Sequence, residues 1–176
     1  MKAQVLALAA ALALPSPSLA KGSAPEDLLQ GQIIFSDKSL PTSWKSVGSY
    51  VQQLRALNRT TLWYDKKTGK AQVSYAAFFA RPLNDVQVDL VIYDITGGRR
   101  ERKSSNEQFM QRGDRVLINS LTLDKEDLEM NRKYLVTIES RRVVLAKGEF
   151  ILRGETEKYS GKVTFSEDEA KAKDKQ

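Results

Sequence analysis

Residues 121–138 read "LTLDKEDLEMNRKYLVTI", and the order of residue types in this stretch decides the fold. Leu121 and Leu123 close one alternating run, Asp124, Lys125, Glu126 and Asp127 follow without a break, and a second alternating run opens at Tyr134. A chain that leaves one sheet and crosses the end of a two-layer structure to the other passes through water, so its crossing is polar. Asp124 is suited to cap a single turn there, with Asp127 placed to bond back as in a capping box. Leu128 dips inward. Tyr134, Val136 and Ile138 then alternate toward the core, with Leu135, Thr137 and Glu139 facing out. A tyrosine at the mouth of a strand buries its ring and returns its hydroxyl to the backbone of the crossing.

The same rhythm extends in both directions. "GQIIFS" (31–36) reads as a first short strand. In "LPTSWKSVGSYVQQLRALN" (40–58), Val47, Val51, Leu54 and Leu57 recur at helical steps, with Thr42 or Ser43 as the cap. "TTLWYD" and "KAQVSYAAFFA", joined by "DKKTG", read as a hairpin in which Gly69 takes a positive φ. "VQVDLVIYDI" (86–95) is apolar on both faces, with Val86, Val88, Leu90 and Ile92 on one and Val91, Tyr93 and Ile95 on the other. That places it near the centre of a sandwich. "RRERKSSNEQFM" (99–110) is a charged edge strand, and "RVLINSLTL" (115–123) precedes the crossing. A last pair turns at Arg141–Arg142 into "VVLAKGEFILRG" (143–154). Short strands at intervals near ten residues specify a mainly β fold, an antiparallel sandwich with one helix inserted.

"NRKYLVTI" followed by "VVLAKGEFILRG" resembles the closing strands of immunoglobulin-like or fibronectin-type-III-like domains of bacterial envelope proteins. The resemblance covers residues 114–153 well and 60–110 by strand rhythm alone. It implies a tyrosine corner at Tyr134 and a closing hairpin, and no particular activity. The chain departs from it in lacking a cysteine pair and in carrying the helix at 47–57.

The N-terminal residues "MKAQVLALAAALALPSPSLA" (1–20) read as a signal peptide. Lys2 is its basic start, Val5 to Leu14 its apolar run, and Pro15 and Pro17 break that run before cleavage after Ala20. The run is too short for a membrane span, so no transmembrane segment is expected in the mature chain. Residues 21–30 form a polar lead-in, 31–154 the sandwich, and 155–176 a polar tail whose composition suits disorder. The expected location is the periplasm or the extracellular space, which removes nucleic acid as a partner. With 28 Lys and Arg against 22 Asp and Glu the chain carries +6, or +5 once Lys2 is removed. That modest excess favours anionic partners. The chain has no His and no Cys. The usual general base, thiolate nucleophiles and the commonest zinc and copper ligands are therefore missing, so neither catalysis nor a cofactor is expected.

Candidate binding residues are few. Arg99, Arg100, Arg102 and Lys103, with Arg141 and Arg142 at another turn and Arg112 and Arg115 nearby in sequence, could gather into one basic patch for anionic glycan or lipid headgroups. The plainer reading is an edge strand kept soluble by charge. Asp124, Glu126, Asp127 and Glu129 offer oxygens for calcium, but Lys125 interrupts them and the turn glycine of a calcium loop is missing. Asp65 is a turn residue. Trp44, Trp63, Tyr64, Tyr75, Phe78 and Phe79 could stack on a sugar. "AAFFA" reads as core, which leaves Trp44 as the aromatic candidate. The leading expectation is a non-enzymatic interaction or scaffolding component of a bacterial cell-envelope assembly with a protein partner. The alternatives are a module for anionic polysaccharide or lipid headgroups, and an inhibitor or chaperone of an exported enzyme.

Overall fold

The computed structural model describes residues 24–154. The signal-peptide and tail readings, and the cleavage after Ala20, lie outside the described residues. The chain folds as α1 (Pro25–Leu28), β1 (Ile33–Ser36), α2 (Val47–Leu57), β2 (Thr61–Trp63), β3 (Lys70–Phe78), β4 (Gln87–Asp94), β5 (Glu101–Phe109), β6 (Val116–Asp124), β7 (Arg132–Ser140) and β8 (Val143–Arg153). Three strands form one sheet in the order β1-β3-β6, and five form the other in the order β2-β8-β7-β4-β5. The fold is mainly β, a two-layer sandwich with a helical cover.

Strand alternation builds two cores. Ile33, Phe35, Val73, Tyr75, Ala77, Leu117 and Leu123 of the small sheet face Val88, Leu90, Ile92, Tyr134, Val136, Ile138 and Phe150 of the large one. On the far side of the small sheet, Ile34, Ala76 and Phe78 meet Tyr50, Val51 and Leu54 of α2, and Leu29. The helix therefore forms a third layer. The alanine–phenylalanine run of β3 is buried on both faces because both cores need it. Leu29, within the segment read as a polar lead-in, is fully buried in the second core. Where β8 passes β1, Gly148 replaces the side chain that alternation would aim inward. A Cβ there would sit 2.8 Å from the Ile33 carbonyl oxygen and 2.7 Å from the Phe35 ring.

Three expectations are corrected. β2 and β3 do not form a hairpin: β2 pairs parallel with β8 in the large sheet, whereas β3 pairs with β1 and β6. The loop between them changes sheets, although Gly69 does take a positive φ of 64°. The cap of α2 is Ser46, whose hydroxyl accepts the Ser49 N–H at 3.2 Å, later than the proline-side residues Thr42 and Ser43. Leu135 and Thr137 do point away from the inter-sheet core, yet they are 4% and 1% exposed. β7 is the middle strand of five, so long side chains from both neighbours lie over that face. Glu149 pairs there with Lys133 at 2.6 Å, and Tyr93 with Glu139 at 3.1 Å.

The polar crossing spans residues 125–131 and is tied down from three sides. The Tyr134 hydroxyl donates to the Glu129 carbonyl at 3.0 Å, with the ring fully buried. Tyr64, at the end of β2, lies 2.9 Å from the Asp124 carbonyl and 2.8 Å from that of Leu128. The Asn131 N–H reaches the Leu152 carbonyl at 2.6 Å. Asp124 accepts the Glu126 N–H on its carboxylate and the Leu128 N–H on its carbonyl, closing the single turn.

Candidate interaction surface

An antiparallel sandwich exposes the outer edges of its sheets, and each edge here is handled differently. β1 is covered: its Phe35 N–H donates to Asn58 Oδ1 at 3.1 Å, and its Phe35 carbonyl accepts the Arg59 N–H at 2.8 Å. β2 is three residues long, too short to template much. That leaves β5 and β6, nine residues each, at the outer edges of their sheets on one side of the sandwich. β5 carries Glu101, Arg102, Lys103 and Glu107, the kind of charge that deters a passing strand. β6 reads "VLINSLTLD" and is uncharged until its last residue, Asp124.

The geometry of β6 shows which backbone groups are open. Arg115 and Lys125, just outside its two ends, bond to Phe79 and Gly69 on the β3 side. Ladder bonds therefore fall on the odd-numbered residues, and Val116, Ile118, Ser120 and Thr122 direct their N–H and C=O groups away from β3. At the midpoint the Ser120 N–H is held at 2.8 Å by the Asn119 side-chain oxygen. The Asn119 amide donates in turn to Gln108 Oε1 of β5 at 2.8 Å, which also accepts the Tyr75 hydroxyl at 2.9 Å. This polar node closes the gap between the two sheets. It explains why the inward positions of β5 are Ser104, Asn106 and Gln108: the small sheet ends at β6 and offers them no apolar cover. Ile118, Asn119, Ser120 and Thr122 are exposed.

The arginines singled out in the sequence do not form one patch. Arg99 and Arg100 occupy the β4–β5 turn, with Arg102 and Lys103 at the adjoining start of β5. Arg141 and Arg142 form the β7–β8 turn at the opposite end, about 26 Å away by the rise of the eight-residue β4. Lys103 is held charged by Glu101, which accepts from it at 2.8 Å. Arg141 pairs with Asp85 at 2.6 Å. Arg115 holds Asp27 at 2.7 Å and the Ala80 carbonyl at 3.2 Å, so it is a structural strut. Trp44 stacks on Tyr50 with ring centroids 4.2 Å apart, leaving its other face half exposed. Trp63 is equally exposed on the outer face of β2, on the opposite layer from Trp44.

The titratable groups behave as structural acceptors. The Ser140 hydroxyl and Arg141 hold Asp85 below the usual carboxylate range. The Thr68 and Lys67 N–H groups do the same for Asp65, and the Glu126 N–H and Lys70 for Asp124. Burial works against the charge of Asp94, but the Thr96 N–H and hydroxyl and Arg132 outweigh it and keep that carboxyl low. Burial pushes Tyr134 up to about 12 and raises Tyr64 and Tyr75 as well. Among the described residues, no three side chains capable of holding a metal ion lie together, and no helix is long and apolar enough to cross a membrane.

The β6 edge and the Tyr64 anchor are the features that residue patterns missed. The edge had a signal in the contrast between two adjacent strands, one charged and one not. Tyr64 had none, because its acceptors lie 60 and 64 residues away.

No protein-family model matches the chain, and no curated protein is similar to it in sequence. Among solved structures it is similar to the sensor domain of the anti-sigma factor RsgI4 of Pseudobacteroides cellulosolvens, at 13% identity and a TM-score of 0.35, over 56% of this chain and 76% of that one. It is also similar to the Pseudomonas fluorescens alkylpurine DNA glycosylase AlkC bound to DNA containing an abasic site analog, at 12% identity and a TM-score of 0.28, over 53% of this chain and 28% of that one. Superpositions this loose carry no argument about fold or activity.

Proposed function

We propose that this protein is an exported, non-enzymatic sandwich of the immunoglobulin-like or fibronectin-type-III-like kind. It serves as an interaction or scaffolding component of a bacterial cell-envelope assembly and receives a partner's strand along β6. The observation that carries this reading is the nine-residue β6 edge with its single terminal charge. A long, flat, uncharged edge is an aggregation hazard unless something covers it, and strand addition to such an edge is a common mode of protein recognition. The domain type is supported by the order β1-β3-β6 facing β8-β7-β4-β5, and by a buried tyrosine opening the penultimate strand and bonding five residues back. The non-enzymatic reading is supported by a chain with no His and no Cys, which lacks the usual general base and thiolate nucleophile.

Charge placed on the edge tests this reading. Ser120→Lys with Thr122→Lys puts two ammonium groups on exposed positions, so stability should change by no more than about 0.5 kcal/mol per site. The pair should abolish capture of the envelope partner, whereas Asn106→Lys on β5 should leave capture intact. Undiminished capture by the β6 variant would end the proposal.

A further inference from the structure

Three connections meet at the end of the sandwich opposite the polar crossing: 79–86, 110–115 and 141–142. Together they hold five arginines (Arg81, Arg112, Arg115, Arg141 and Arg142), two aspartates (Asp85 and Asp114), and no lysine or glutamate. The two acids are engaged. Asp85 accepts the Ser140 hydroxyl at 2.5 Å and Arg141 at 2.6 Å, and Asp114 accepts the Gln111 N–H at 3.1 Å. Arg115 is spent on Asp27. The charge of Arg112 acts on Asp85 through space, whereas Arg81 and Arg142 form no ion pair among the described residues.

Apolar side chains lie beside Arg81, and Val143 follows Arg142 directly. Between 79–84 and 143–145 runs a groove of about 660 Å³, with Pro82, Leu83, Val143, Val144 and Leu145 on its walls and Arg81 beside them. Val143 is 61% exposed, and Phe109, at the same end, is 71% exposed. The turn that carries Arg141 and Arg142 is also strained. Both residues have positive φ, 50° and 69°, in a two-residue turn whose type strongly prefers Asn-Gly. Strain of this kind, held beside unpaired charge and exposed apolar groups, points to a site in use.

We propose that this end docks on an anionic lipid surface. The arginines grip lipid phosphates through their paired N–H donors, and Val143, Val144 and Phe109 seat at the boundary between headgroups and acyl chains. A sugar polymer would match the arginines and stack on Phe109, but would leave the valines in water. A bilayer surface takes both. This inference concerns the connections at one end of the sandwich, not the backbone edge of β6, and stands or falls separately.

Vesicle flotation of the full chain tests it, using phosphatidylglycerol–phosphatidylcholine vesicles against phosphatidylcholine alone, at rising salt. Binding is expected on the anionic vesicles only, weakening as salt screens the arginines. Arg81→Glu with Arg142→Glu should lower affinity at least about tenfold, since each basic residue near such a surface contributes appreciably. Val143→Ser with Val144→Ser should lower it several-fold, and Arg99→Glu with Arg100→Glu at the far end should leave it unchanged. Arg142→Gly separates binding from folding: it relieves the turn, so it should raise Tm while weakening binding. The proposal is overturned by equal binding to neutral vesicles, by a loss from the Arg99/Arg100 reversal as large as that from Arg81/Arg142, or by no loss from the valine pair. Binding of a soluble acidic polysaccharide with none to vesicles would overturn it too.

Discussion

Tyr64 and Tyr134 aim their hydroxyls into the same seven-residue crossing from different directions. Tyr134 reaches the Glu129 carbonyl at 3.0 Å from the start of β7, and Tyr64 reaches those of Asp124 and Leu128 at 2.9 and 2.8 Å from the end of β2. The Asp124 carbonyl already accepts the Leu128 N–H, but those of Leu128 and Glu129 have Tyr64 and Tyr134 as their donors. Removing either strands a shielded acceptor, which costs about 1–3 kcal/mol. Tyr64→Phe and Tyr134→Phe should therefore each destabilise the domain by that order in urea melts. Because both hold one loop, the double variant should lose measurably less than the sum, with a coupling of about 0.5 kcal/mol or more. Strict additivity would show that they act on separate elements.

Gly148 lets β8 pass close against β1. A methyl group there meets the backbone oxygen of Ile33, which cannot rotate aside, as well as the Phe35 ring. Gly148→Ala should destabilise by about 1–3 kcal/mol or more through overpacking. Gly97→Ala, where an added Cβ meets nothing within 4 Å, is the matched control. Thermal melts of the pair read the difference directly.

Alkaline stability should follow the buried phenols. Tyr134 is raised from 10.0 to about 12 by burial. Its folded-state value exceeds its unfolded one, so its contribution is complete below pH 10 and is lost as pH climbs toward 12. Unfolding followed by circular dichroism should begin in that window, together with the phenolate absorbance of the buried tyrosines. Phenolate from all six tyrosines near pH 10 in the still-folded protein would contradict the burial.

In acid the sign reverses. Asp94 is held low in the folded protein by Thr96 and Arg132 despite its burial. Its contribution is present above the unfolded carboxylate value of about 3.9 and is lost as pH falls through the folded value. Asp94→Asn should flatten the fall in stability below about pH 4. A wild-type slope in the variant would assign that loss to other carboxylates.

Alternation made much of this fold legible. Tyr134, Val136 and Ile138 are buried because period-two patterning sends them to the inter-sheet core, and the charged run at 99–110 is an edge strand. The β2–β3 link was misread because a turn such as "DKKTG" closes a hairpin or changes sheets with the same local chemistry. The partner that decides between them, β8, lies far along the chain. Leu135 and Thr137 were placed in water because alternation reports which face a residue is on, while cover depends on the strands at either side. Whether the turns at 99–103 and 141–142 gather into one basic patch or leave a solvated edge strand is not written in either turn, because β4 sets which end of the sandwich each one occupies. The open edge of β6 follows from its being last in its sheet, a fact of pairing order that no single segment encodes.

Photo-crosslinking in intact cells tests the β6 claim most directly, with a photoreactive residue placed at Ser120 or Thr122 on β6 and at Asn106 on β5 in separate experiments. The expected result is one discrete adduct, shared by the two β6 positions and missing at Asn106. Equal labelling from both edges, or no adduct from β6, would contradict the claim that this strand receives a partner.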